Sequence, residues 1–260
     1  MTVAPENLGK LVLCLESTVH ARPSEAGMRE SARGQDHSAA GAPKPVGRAP
    51  ESDFELPRWL VELREFRARI AWNSGRRPDF RQTDGTFVDP DPHDLSAYHL
   101  TVRTDTGELI ACCRYAPLEA LPCSRIRELD PGGADRIAGE LGCLDTEMLE
   151  GGRLLVAMQW RHYGLATELL LAGTALARLL DRRAIWGTAG VRDGQEHVFL
   201  RLGYHCAAAD LIPAPHYDDE LRIIVCDPAR VPAAIEPRIT ALATELRGLL
   251  DRIEPHRTGT

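Results

Sequence analysis

The stretch Arg153-Leu-Leu-Val-Ala-Met-Gln-Trp-Arg161-His-Tyr-Gly164-Leu-Ala166 passes from an apolar segment through a turn directly into a leucine- and alanine-rich run that ends near Leu180. The apolar residues 153–159 predict a short strand. Leu165 to Leu180 is apolar on three sides, which predicts a helix buried against a sheet. Between them, Arg161-x-x-Gly164-x-Ala166 reads as an anion cradle. Backbone N–H groups of the turn and of the first helical turn have no partner within the helix, and the helix dipole is positive there. Gly164 and Ala166 leave the backbone open to close approach by a phosphate, with Arg161, His162, Tyr163 and Leu165 completing the turn. The pyrophosphate of coenzyme A or the phosphopantetheine of a carrier protein suits such a cradle. An ordinary strand–turn–helix connection, with small residues present only for packing, explains the same pattern, and His162 then becomes a solvated turn residue.

Outward from this segment the elements alternate in type. Trp59, Leu60, Leu63, Phe66, Ile70 and Ala71 recur at helical spacing behind Pro57, a first-turn residue. Tyr98–Val102, Asp105-Thr106-Gly107 and Glu108–Tyr115 read as a β-hairpin. Pro122, Pro131 and Gly132-Gly133 break the following stretch around a short helix at Ala134–Leu141. Ala184–Ala189 is a strand; Gly187-Thr-Ala-Gly190 lacks the lysine of a phosphate loop and reads as a tight turn. Gly194 to Leu202 is a short helix ended by Gly203. Tyr204–Ile212 and Leu221–Cys226 read as strands, and Ile235 to Ile253 as a closing amphipathic helix entered through Pro237. The fold class is α/β, a mixed sheet with helices around a single core. Residues 21–50 contain no Ile, Leu, Phe, Tyr or Trp, too little apolar surface to offset the entropy of ordering. The expected organisation is a largely disordered tail over 1–53, a domain over 54–230, and a C-terminal helix and tail over 231–260; the run Leu11 to Leu15 is left open as to pairing.

The 260 residues are 43% hydrophobic and 27% charged, with a net charge of −7. This argues against nucleic acid or an anionic membrane as the main partner. The apolar runs fall far short of the roughly 20 residues that span a bilayer, and no basic segment precedes an apolar one at the N-terminus. The seven cysteines are scattered without a Cys-x-x-Cys pair, which speaks against a zinc site or a disulfide framework. A cytoplasmic protein with reduced thiols and no metal is the expectation. No Gly-x-Ser-x-Gly motif is present. Cys112 and Cys113 point to opposite faces of a strand and read as small packing residues rather than nucleophiles. His93, His99, His197 and His216 have no metal-ligand spacing and read as surface or packing residues.

The loop Arg161-x-x-Gly164-x-Ala166 resembles the pyrophosphate loop of the GNAT superfamily of N-acyltransferases, Gln/Arg-x-x-Gly-x-Gly/Ala. The resemblance extends to His197-Val-Phe-Leu-Arg-Leu-Gly203-Tyr204, similar to a downstream helix of that superfamily, and to the Asp105–Gly107 hairpin at the usual distance upstream. It covers about Phe54 to Pro228. It implies a GNAT-like fold whose central strands splay apart, with the pantetheine arm of an acyl-CoA or acyl-phosphopantetheine thioester in the gap. Backbone groups of Val156, Ala157 and Met158 would bond that arm. The tyrosine that often protonates the leaving thiolate falls at Phe199, so the resemblance passes that role to Tyr204, Tyr163, His205 or solvent.

A second constellation is similar to the acyl-homoserine-lactone synthases and the long-chain N-acyl amino acid synthases. Its members are Arg64, Phe66, Arg67 and Trp72, then Asp91 and Asp94, then Arg114 in Ile110-Ala-Cys-Cys-Arg114, then Glu150-Gly-Gly-Arg153. The first helix matches loosely and Leu149 stands where those families have Trp. The Arg-x-x-Gly-x-Ala loop is better preserved here than in the lactone synthases, which favours the acyl amino acid or general N-acyltransferase branch. The resemblance implies transfer of an acyl group from an acyl-CoA or acyl-carrier-protein thioester to a small-molecule amine, such as that of an amino acid. Glu150, with Glu147 as competitor, would take the ammonium proton. The N–H of Ala157 or Met158 would hold the oxyanion. Arg114 and Arg153 would clamp an acceptor carboxylate. Glu150, Arg153, Arg114 and the Asp94 region read equally as a structural ion-pair network. The rival functions are a catalytically degenerate module that binds a thioester or a partner protein without turnover, which Phe199 at the tyrosine position suggests, and an acyl-homoserine-lactone-type autoinducer synthase.

Overall fold

The computed structural model describes residues 11–19, 56–192, 194–208, 210–215 and 219–253. The segment 21–50 expected to be disordered, and His216, lie outside the described residues. The strands are β1 (Val12–Ser17), β2 (Tyr98–Arg103), β3 (Leu109–Pro117), β4 (Met148–Val156), β5 (Ala184–Gly190), β6 (His205–Cys206), β7 (Ile212–Ala214) and β8 (Asp219–Cys226). The helices are α1 (Arg58–Asn73), α2 (Arg125–Leu129), α3 (Pro131–Leu141), α4 (Leu165–Leu179), α5 (Gln195–Arg201) and α6 (Glu236–Ile253).

All eight strands form one mixed sheet in the order β1-β2-β3-β4-β5-β8-β6, with β7 also on β8. Only β4 and β5 are parallel, and their pairing stops after Met148↔Ala184, Leu149↔Ile185 and Glu150↔Trp186. Beyond that point β4 stays on β3 as far as Val156↔Ala111, and β5 stays on β8 as far as Gly190↔Leu221. The sheet therefore opens as a wedge whose apex is Glu150/Trp186. At about 3.3 Å per residue its arms, 151–156 and 187–190, are about 20 and 13 Å long. The splayed central strands implied by the resemblance are present.

One face of the sheet carries α4, which is buried without interruption from Leu169 to Ala177. That burial follows from its position between the sheet and α6, whose Ile239, Leu242, Leu246 and Leu250 repeat at one-face spacing and are buried. The other face carries α1, α2 and α3. Strand alternation sorts the residues between faces: Leu149 and Ile185 join the α4-side core, whereas Met148 and Trp186 join the opposite cluster with Ile126 and Ile137.

Several expectations need correction. The strand expected over 153–159 begins earlier, at Met148, and gives way to a 3-10 turn at Met158–Trp160; its first half was masked by a charged residue and two glycines. Gly187–Gly190 is not a turn but the second half of β5, because β8 pairs it along its length. Tyr204–Ile212 is split into β6 and β7, each held by β8. The run at Leu11–Leu15 does pair: β1, inside the expected 1–53 tail, lies antiparallel on β2.

Candidate functional site

At the open end of the wedge, β4 leads into the turn before α4. The Ala157 N–H donates to Ile110 O at 2.9 Å, Trp160 N–H to Ala157 O at 2.8 Å and Tyr163 N–H to Trp160 O at 3.3 Å, so the turn is wound on itself. Gly164 has φ +75°, a left-handed conformation that glycine adopts without strain, and it sets the entry to α4. Leu165 is anchored in the core while Arg161, His162, Tyr163 and Gly164 are exposed. The arrangement presents a helix start, an arginine and an unencumbered backbone to solvent.

The polar face of the sheet near the apex carries a buried ionic cluster. The chain between α1 and β2 reads Asp89-Pro-Asp91-Pro-His93-Asp94. Its prolines and the Asp91 side chain, which accepts from His93 N–H at 3.0 Å, wind a 3-10 turn that aims all three carboxylates at the sheet. Arg67 donates to Asp94 (Nη1–Oδ1 2.8 Å) and its Nε lies 3.0 Å from Asp89. Arg64 donates to Asp94 at 2.9 Å. Arg114 lies 2.6 Å from Asp91, and Arg153 lies 3.0 Å from Asp89 and 2.8 Å from Asp91. Among the described residues, four guanidinium groups thus meet three carboxylates. Burial alone would raise the Asp94 carboxyl; the hydrogen bond and charge of Arg67 overcome it and hold the group down at about 2. Burial likewise opposes, and Arg114 and Arg153 outweigh it for, Asp91, which is held well below the usual carboxylate range.

Arg153 reaches this cluster through a β-bulge. Cys112 pairs with Leu155 but Arg114 with Gly152, so Arg153 and Leu154 together oppose Cys113. Arg153 sits at φ +56°, a conformation costly for a residue with a Cβ. The bulge puts Gly152 and Arg153 on the same face, where a side chain at 152 would stand 3.2 Å from the Arg114 guanidinium.

Glu150 lies on the same face, at the apex, 2% exposed. It is not part of the arginine cluster. Its Oε2 accepts from the Ser124 hydroxyl at 2.5 Å and its Oε1 from the Arg125 backbone N–H at 3.0 Å. Ser124 is also the N-cap of α2, accepting from Arg127 N–H. The carboxylate is thus positioned by two neutral donors at the start of α2.

No protein-family model matches the sequence, and neither does any curated protein. Solved structures do match. The CoA-dependent acyl-homoserine lactone synthase BjaI, solved with MTA, superposes with a TM-score of 0.54 at 16% identity over 94% of this chain and 90% of that one. BjaI with SAM and isopentyl-CoA gives 0.51 at 17% identity over 75% and 81%. TofI, solved with an inhibitor and MTA, gives 0.50 at 18% identity over 67% and 87%. The chain shares the fold of these acyl-homoserine lactone synthases.

Within this fold the remaining sequence-derived candidates separate. Glu147 accepts from Leu144 N–H at 2.8 Å and from Arg183 at 3.2 Å, closing a turn before β4 rather than facing the wedge. The Ala157 N–H is spent on Ile110 O, so of the two N–H groups suggested for an oxyanion, Met158 is the one still suited. Tyr204 is on the α4 side, buried and edge-on to Phe199 at 5.2 Å; burial, with Cys226 and Cys113 nearby, pushes its phenol well above its ordinary value and keeps it protonated. Arg64, Arg67, Asp91, Asp94, Arg114 and Arg153 are brought together, whereas Trp72 packs instead on Phe87. Sequence reasoning missed Asp89 and Ser124, and His93, read as a surface or packing residue, is buried against Asp91 and Arg114. Asp89 and His93 had a signal in the Asp-Pro-Asp-Pro-His-Asp repeat, since prolines flanking acids fix a turn; Ser124 had only its N-cap position. Cys112 and Cys113 are buried on opposite faces, and burial raises their thiols to about 12 and about 11, which removes them as nucleophiles. Among the described residues no helix is long and apolar enough to cross a membrane.

Proposed function

We propose that the protein is an N-acyltransferase that moves an acyl group from an acyl-CoA or acyl-carrier-protein thioester to the amine of an amino acid or similar zwitterion. The observation that carries this reading is the wedge between β4 and β5, with Glu150 at its apex and the arginine cluster on the same face. The pyrophosphate end of the donor takes the Arg161–Ala166 turn, and the pantetheine arm lies along Val156–Met158. An acceptor carboxylate faces Arg114 and Arg153; the ammonium faces Glu150, whose oxygens are held only by neutral donors. Glu150 takes one proton, directly or through a water. The nitrogen attacks the thioester carbonyl carbon, the C–N bond forms and the C–S bond breaks, and the second nitrogen proton ends on the departing thiolate.

The first test is the thermal shift of the purified protein with free CoA. At 100 times its dissociation constant the ligand adds about 2.7 kcal/mol. The second is Glu150→Gln, expected to lower acyl-CoA consumption at least about 100-fold while leaving the CoA-induced shift in place. A binding module without turnover predicts no change in consumption, and the absence of any shift removes free CoA as ligand. The likeness to BjaI and TofI favours a second reading, an acyl-homoserine-lactone-type synthase. Release of methylthioadenosine from S-adenosylmethionine distinguishes it.

A further inference from the structure

The wedge has two unlike faces, and an acyl tail has a choice of only one. The face of Glu150, Gly152 and Arg153 is occupied by charge. The α4 face is apolar, formed by Leu154 and Val156 of β4 and Ala189 of β5. At the inner end of this face both arms of the wedge carry glycine. A Cβ on Gly187 would stand 2.9 Å from Gly151 O, so the two strands touch there only because side chains are missing. The space left on the α4 face is filled by the Tyr115 ring, with Ile185 beside it. Tyr115 of β3, 1% exposed, lies between strand and helix: a Cβ on Gly151 would meet its Cε1 at 3.5 Å, and a Cβ on Gly173 of α4 would overlap its Cζ and hydroxyl. The hydroxyl donates to Leu169 O at 3.3 Å, pinning the ring across the apex.

We infer that Tyr115 is the stopper of the acyl site and limits this enzyme to short acyl groups, an inference that rests on the acyltransferase reading above. The thioester carbon has to lie near Glu150 for the amine to reach both. From there a tail entering the α4 face runs into the Tyr115 ring, and Gly151 and Gly173 supply no side chains behind which it could be displaced cheaply. Removing the ring leaves a channel walled by those two glycines and leading along α4.

The test uses the full chain with acetyl-, butyryl-, hexanoyl-, octanoyl- and decanoyl-CoA, read both by melting shift and by kcat/KM with one amine acceptor. The wild type is expected to lose at least tenfold in kcat/KM between butyryl- and octanoyl-CoA. Tyr115→Ala is expected to raise the octanoyl-to-butyryl ratio at least tenfold, and Tyr115→Phe, which keeps the ring, to leave the profile as in the wild type. Tyr115→Leu, a smaller change in the same core, is the variant to read where the alanine protein does not fold. Equal use of butyryl- and octanoyl-CoA by the wild type overturns the inference. So does an unchanged ratio in a folded Tyr115→Ala or Tyr115→Leu protein. Where no acyl-CoA binds or reacts, the same chain-length series is read on acyl-carrier-protein thioesters; failure with both donor types removes the acyltransferase reading itself, a result distinct from reaction without length selection.

Discussion

His99 in β2 is fully buried, and its environment predicts a specific acid sensitivity. Its Nε2 lies 3.1 Å from the Asp94 carbonyl oxygen, which can only accept, so Nε2 carries the hydrogen; Nδ1 is buried without a hydrogen-bond partner. Protonation would place a cation in a pocket roofed by Trp59 at 5.3 Å and shared with Arg67 and Arg114. Burial is the largest cause, Asp94 opposes it, and the net effect lowers the imidazole from 6.5 to about 4. Between those values the unfolded chain binds a proton that the folded chain refuses, so stability falls as the pH falls. From pH 7 to pH 4.5 the loss is about 2 kcal/mol by linkage. Glu16, opposite His99 on β1, is raised by burial and works in the other direction, so the clean quantity is a difference between proteins. Urea unfolding at pH 7 and pH 4.5, compared between wild type and His99→Gln, reports it. The glutamine amide can still donate to Asp94 O but cannot titrate. The variant should lose about 2 kcal/mol less than the wild type over this interval. Identical pH dependence in both proteins would refute the assignment. Asp94, lowered from 3.8 to about 2, stabilises the fold in full above the window and loses that contribution only as the pH falls from 3.8 toward 2, so it does not confuse the interval.

Two further outcomes follow from the site. Arg67→Met leaves Asp94 and Asp89 buried with one guanidinium fewer and is expected to cost about 3–5 kcal/mol in denaturant unfolding; a loss under about 1 kcal/mol would mean that Arg64 and Arg114 suffice to compensate the aspartates. Gly164→Ala forces a Cβ into the left-handed conformation at φ +75°. It should cost about 1–2 kcal/mol and reduce the CoA-induced melting shift; an unaltered shift would place the donor elsewhere.

The sequence was most legible where periodicity and punctuation agreed. Leu165 to Leu180 and the closing helix carry long apolar patterns, and α4 and α6 fall within a residue of where those patterns place them. The hairpin announced itself through Asp105-Thr106-Gly107. Legibility failed where residues serve a site rather than a pattern. The first half of β4 reads Glu150-Gly151-Gly152 and looks like a loop, yet it is interior strand because β3 pairs it and the Ser124 hydroxyl and Arg125 N–H hold its carboxylate. Gly187–Gly190 failed for the related reason that the wedge needs strand without side chains. The cluster was half visible: its arginines and two of its aspartates were found through family resemblance, while Asp89 and His93 depend on how two prolines bend one turn. Ser124 lies 26 residues from the carboxylate it holds, and no local pattern reports a contact of that kind.

The bulge at Arg153 has a consequence for how β4 tolerates change. Before it, odd-numbered residues such as Leu149 face α4; after it, even-numbered ones, Leu154 and Val156, do. The strand is thus two half-strands of opposite parity joined at a dislocation. Removing a single residue anywhere between Glu150 and Leu154 would restore one parity throughout. It would then either point Leu154 and Val156 into the aspartates or carry Glu150 into the core, so the turn before α4 and the ionic cluster keep their places only while the count of residues between them is kept.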